Sequence, residues 1–149
     1  MTNSNQYREY FDIDEEYFPQ VNDSTIAAAK PDFWTRTYLH HTFIEMLNSM
    51  ERVLARQEKR SLWIEGAYGT GKSQCVYALK KILEVPEEEL GAYWDRYEPL
   101  KNKTDLLEKI VGHKQKGIIT AYRYASGMID SPRDLFFAIQ ETLKTSLIA

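Results

Sequence analysis

"IEGAYGTGKSQ", residues 64–74, decides how this chain is read. Within it Gly66, Ala67, Tyr68, Gly69, Thr70, Gly71, Lys72 and Ser73 fit the spacing G-x-x-x-x-G-K-[ST]. A polyphosphate is multiply charged and needs many hydrogen-bond donors at short range. A glycine-rich turn supplies them, because successive backbone N–H groups can point inward without side chains blocking the approach. A helix that begins near Lys72 adds its positive end. On this pattern the backbone from Gly66 to Gln74 cradles phosphate, and the Lys72 ammonium reaches the outer phosphates. The Ser73 hydroxyl is the candidate metal ligand, for Mg²⁺.

The spacing has meaning only in context, so its flanks matter. Ahead of it, Ser61, Leu62, Trp63 and Ile64 fit a short buried strand feeding the loop. Behind it, Val76, Leu79, Ile82 and Leu83 recur at helical intervals. An ordinary glycine turn is the alternative. Tyr68 and Thr70 fill variable positions; Tyr68 reads as a surface aromatic or as a stacking partner for a base.

Farther upstream, Pro31 suits the first turn of a helix. Leu39, Phe43, Met46, Leu47, Met50, Val53 and Leu54 then mark one apolar face ending near Gln57, with Glu45, Glu51, Arg52 and Arg56 on the other. Downstream, Pro86 and Glu87 to Glu89 open another helix, with carboxylates at its positive end. Pro99 interrupts the chain. A helix is expected over Thr104 to His113, with Leu106, Leu107, Ile110 and Val111 inward. Residues 117–125, GIITAYRYA, form the second strand candidate. Ser131, Pro132 and Asp134 supply an N-cap, a first-turn proline and a capping-box acid. Leu135, Phe136, Ile139, Leu143 and Leu147 line the final helix. This order predicts an α/β fold, helix-rich with few parallel strands. Residues 1–30 read as an N-terminal arm, and 31–149 as the domain. In the arm Asp12, Asp14, Glu15 and Glu16 lie among Tyr10, Phe11, Tyr17 and Phe18. That cluster is either an extended arm packed on the body or an acidic binding motif.

At 149 residues the chain is about one domain. The net charge is −3, so whole-surface attraction to nucleic acid or an anionic membrane is not implied. Arg52, Arg56, Lys59, Arg60, Lys80 and Lys81 form a local basic set, read as solvated helix faces or as a DNA- or partner-binding patch. The single cysteine, Cys75, excludes an internal disulfide and suits a cytoplasmic protein. It falls in the first helical turn, where a thiolate is favoured, although a packed thiol is the plainer reading. No apolar run approaches the roughly 20 residues that span a bilayer. His40 and His41 are adjacent, which on a helix points them about 100° apart and away from a shared metal.

The loop and its flanks resemble the Walker A motif of P-loop NTPases, over residues 61–83. The long helix ahead of it, with GIITAYRYAS and SPRDLFFAIQETL behind, resembles the N-terminal end of an AAA+-like or STAND-like ATPase core. The wording Glu65-Gly66-x-Tyr68-Gly69-Thr70-Gly71-Lys72-Ser73 also resembles large bacterial ATPases of phage-defence systems. The resemblance implies ATP and Mg²⁺ as ligands, and hydrolysis that drives conformational change in a larger assembly. It also implies an acidic residue at the end of a further apolar strand. No such run follows Ser73. Met128, Ile129 and Asp130 come nearest and read better as a turn. The family also places a later strand between the first two. The domain is therefore expected to be incomplete, finished by further sequence of the same ATPase or by other chains. In the alternative, the two candidate strands pair directly.

Other readings stand beside this one. Asn102, Lys103, Thr104 and Asp105 match the guanine-reading N-K-x-D pattern, but in GTPases that follows an apolar strand much farther beyond the loop. A helix cap suits them better, which favours ATP over GTP. A small-molecule kinase shares the loop spacing, although no lid with paired arginines is evident. A structural or interaction module with a vestigial loop is the reading from a different class.

Overall fold

The computed structural model describes residues 32–37, 40–57, 61–122 and 130–148. The expected arm over 1–30 lies outside them, as do Pro31, Leu39, Lys59, Arg60, Met128 and Ile129.

A 3-10 turn, Phe33–Arg36, precedes six helices: α1 His41–Leu54, α2 Lys72–Glu84, α3 Glu87–Arg96, α4 Glu98–Lys101, α5 Thr104–Lys114 and α6 Pro132–Ile148. The single long helix expected from Pro31 to Gln57 is thus divided. Thr37 leaves helical geometry at ψ 121. Its hydroxyl and its N–H both donate to Trp34 O, at 3.0 and 3.4 Å, and close the short turn. The turn sends Phe33 and Trp34 into the core.

Helix faces build that core. On α1, Phe43, Leu47 and Met50 recur at steps of four and three and are buried. Leu90, Tyr93 and Trp94 do the same on α3, and Leu106 and Ile110 on α5. From α2 come Tyr77, Ala78, Leu79 and Ile82. α1 packs on α5, α2 on the 3-10 turn, and α3 on α4 and α5. Aromatic rings fill the centre: Trp34 and Tyr93 lie 4.5 Å apart between centroids, and Tyr93 and Tyr97 5.0 Å. Tyr97 also donates its hydroxyl to Thr35 O. At the far end of α2, Lys114 Nζ donates to Ile82 O at 2.8 Å and Val85 O at 2.6 Å. This satisfies carbonyls that a helix end leaves open and ties α5 to α2.

The α/β expectation is overturned: among the described residues there is no strand, and hence no sheet. Residues 61–65 do alternate, with Leu62 and Ile64 half-buried and Ser61, Trp63 and Glu65 exposed. Alternation alone does not make a strand, because the backbone N–H and C=O groups need a neighbouring ladder. Residues 117–122 do not supply it and also lack regular structure; 123–125 of that candidate lie outside the described residues. Helix-on-helix packing does the burial that a sheet was expected to do.

The ends of α1 and α6 show how local chemistry sets boundaries. Arg56 N–H donates to Val53 O and Gln57 N–H to Arg52 O, which is a Schellman closure. Arg56 itself holds φ +53, a left-handed conformation that glycine adopts more readily. Arg56→Gly is expected to raise stability by about 0.5–1 kcal/mol, read as a higher urea midpoint. At α6, Ser131 Oγ accepts from Asp134 N–H at 3.2 Å and donates to Asp134 Oδ2 at 2.6 Å, the expected cap. The expected inward face of α6 is largely left open by the other described elements: Leu135, Phe136, Ile139 and Leu147 are exposed and Leu143 is half-buried, and the neighbouring Phe137 is exposed too.

Candidate phosphate-binding site

The loop between Ile64 and α2 is shaped by its glycines. Gly69 and Gly71 hold φ +81 and +78, in the left-handed region. A Cβ at either would meet nothing within 4 Å, so the requirement there is backbone conformation and not space. Gly66 is different. A Cβ there would come within 3.0 Å of Thr70 Oγ1, which donates to Ala67 O at 2.8 Å and braces the turn.

α2 begins at Lys72 with Gly71 as its N-cap, and no side chain caps it. The first helical bond runs from Cys75 N–H to Gly71 O at 2.9 Å. The amides of Gly71, Lys72, Ser73 and Gln74 are therefore the donors that a helix start leaves over. Lys72 folds back over the loop. Its Nζ donates to Gly66 O at 2.7 Å and to Ala67 O at 2.6 Å. Ser73 is exposed at the same helix start, and Gln74 is half-buried. The structure thus gathers Gly66, Ala67, Thr70, Gly71, Lys72, Ser73 and Gln74 around one turn. Tyr68 stands at the tip, 93 % exposed.

A cleft of about 480 Å³ opens between this loop and the start of α1. Ile64, Glu65, Gly66, Thr70, Lys72 and Cys75 are on its loop side. Thr37, His40, Thr42, Phe43 and Met46 form the opposite wall. Phe43 and Met46 belong to the stripe read as core. Met46 is only half-buried, and apolar periodicity cannot tell a core position from a cleft position on the same face. His40 is not on the helix, as the sequence reading assumed, but is its N-cap. Its ring accepts from Thr42 N–H, with Nδ1 2.7 Å from Thr42 Oγ1, and its ring centroid lies 3.9 Å from that of His41. An Nδ1 that accepts leaves the proton of the neutral ring on Nε2.

Burial pushes the Cys75 thiol above its ordinary value, which disfavours the thiolate that a helix start alone would promote. Behind it, burial pushes the Tyr93 phenol up, and the neighbouring Tyr97 and Cys75 add to this. Glu65 is the carboxylate on the cleft wall, and it already accepts from Trp63 Nε1 at 2.8 Å. Among the described residues no three His, Cys, Asp or Glu side chains gather as a metal site.

The remaining candidates lie elsewhere. Asn102 and Lys103 link α4 to α5, and Lys103 caps α5 without a side-chain bond, so neither Asn102 nor Thr104 caps it. Asp130 is exposed just before α6. Of the basic set, Lys80 pairs with Glu84 at 2.7 Å and Lys81 with the same carboxylate at 3.8 Å. No described helix is long and apolar enough to cross a membrane. Comparison with protein-family models, curated proteins and solved structures finds no match to the chain.

Proposed function

We propose that residues 66–74 bind the phosphate chain of ATP together with Mg²⁺. The observation that carries this is the loop itself: left-handed Gly69 and Gly71, a helix starting at Lys72, and the Lys72 ammonium turned over the loop. The fit is chemical as well as geometric. Gly66 leaves room for the Thr70 side chain that braces the turn, the helix-start amides offer donors, and an ammonium that donates to neutral carbonyls is ready for anionic oxygens. Ser73 is the hydroxyl placed to join the phosphate oxygens and water around Mg²⁺. Hydrolysis would further need an acidic group directed at an attacking water. The proposal therefore assigns this chain the binding step, within a larger ATPase as the resemblance implies.

The test is calorimetric titration of ATP with and without Mg²⁺ into the chain and into Ser73→Ala. Saturable binding strengthened by Mg²⁺ is expected, with that strengthening lost in the variant. Absence of ATP binding overturns the proposal. One observation favours a second reading, an interaction module whose loop holds no nucleotide: the apolar side chains exposed along α6. Failure of ATP to bind would leave that reading in place.

A further inference from the structure

Glu65 is the one acid among the described residues that line the cleft. It immediately precedes Gly66, whose carbonyl lies 2.7 Å from Lys72 Nζ. A carboxylate and an ammonium so placed could have paired, yet each holds a different partner. Lys72 donates to the Gly66 and Ala67 carbonyls, and Glu65 Oε1 accepts from Trp63 Nε1 at 2.8 Å. Among the described residues no ion pair joins the two, so neither charge is cancelled by the other. The local backbone explains the choice of partner. Residues two apart in an extended segment fall on the same side, and Trp63 and Glu65 are both exposed there.

An uncancelled carboxylate beside a phosphate loop acts on the two forms of a polyphosphate with opposite signs. It repels the bare anion, because like charges brought together are costly. Mg²⁺ removes part of the ligand's charge and keeps several of its waters, whose O–H groups need acceptors. A carboxylate has room for them: it accepts through two oxygens, and the bond from Trp63 uses only part of that capacity. A neutral hydroxyl such as that of Ser73 can bind the metal but cannot repel the bare anion.

We infer that Glu65 makes the site discriminate between magnesium-bound and metal-free polyphosphate, repelling the bare anion and accepting hydrogen bonds from the water shell of the metal. The inference rests on the phosphate-binding reading above and adds to it a side chain outside the glycine turn. Trp63 is the positioning residue, since its indole N–H holds the carboxylate at the cleft wall.

The experiment titrates ATP, once with saturating Mg²⁺ and once with EDTA, into the chain and into Glu65→Gln. Glutamine keeps the shape and an acceptor for Trp63 but loses the charge. Circular dichroism checks the fold; if Glu65→Gln does not fold, Glu65→Ala is read in the same way. The parent chain is expected to bind Mg·ATP at least about tenfold more tightly than metal-free ATP. Glu65→Gln should bind metal-free ATP about tenfold more tightly than the parent does, and so close most of that gap. Ser73→Ala closes it from the other side, by weakening Mg·ATP, which tells the two residues apart. A gap that Glu65→Gln leaves unchanged overturns the inference, as does equal weakening of both forms. A parent chain that binds both forms equally also overturns it and leaves the phosphate loop standing. If neither form binds parent or variant, the phosphate reading itself fails, and the role of Glu65 with it.

Discussion

Lys72→Ala is expected to weaken Mg·ATP binding by about a hundredfold or more, with helix content unchanged. Hydrogen bonds between an ammonium and phosphate oxygens are charge-assisted and stronger than neutral ones. Removing the cation removes both the bonds and the local field, and a hundredfold corresponds to about 2.7 kcal/mol. The fold has little stake in this side chain. Lys72 is at the first position of α2, where alanine is well tolerated. Among the described residues its Nζ donates to loop carbonyls of exposed residues, to which water has access. Titration calorimetry and far-ultraviolet circular dichroism measured together separate lost binding from lost structure. ATP binding that Lys72→Ala leaves unchanged would remove Lys72 from the site.

The second large effect concerns stability. Trp94→Ala is expected to cost about 3–5 kcal/mol. Trp94 is 1 % exposed, and its Nε1–H donates to Lys103 O at 3.3 Å across the link between α4 and α5. The substitution leaves a cavity and also strips that carbonyl of its partner. Against a total of about 5–15 kcal/mol, the loss is a large share, and the urea midpoint should fall steeply. A change within about 1 kcal/mol would mean that the helices do not share the aromatic core described above.

The helices were largely legible because their apolar spacing is local. α2 and α6 begin next to the residues that spacing and capping chemistry indicate, the last glycine of the loop and the Ser131 cap, and α5 begins at Thr104 as the spacing indicates but without the expected side-chain cap. α1 was misread at its start because Pro31 and Leu39 continue a pattern that the backbone breaks at Thr37. Nothing in the residue types marks that a 3-10 turn closes there through the Thr37 hydroxyl. The strands were misread for a different reason. Leu62 and Ile64 have strand-like alternation, but a strand depends on a partner, and a partner is not encoded in the segment itself. The glycine turn and the helix start at Lys72 were legible, since those residues are contiguous. The cleft wall was not, because His40 and Met46 are distant in sequence from the loop and resemble ordinary helix residues.

The posture of Lys72 carries one last consequence. On the proposed phosphate binding, two backbone oxygens, of Gly66 and Ala67, hold the ammonium that anionic oxygens would take, so the loop would have an internal stand-in for its guest. Shaping the cradle would then be part of folding, not of capture. Binding would then be an exchange of partners around a cation that already holds two oxygens. Affinity at this site should accordingly depend on how much better phosphate is than a peptide carbonyl, and little on ordering the loop.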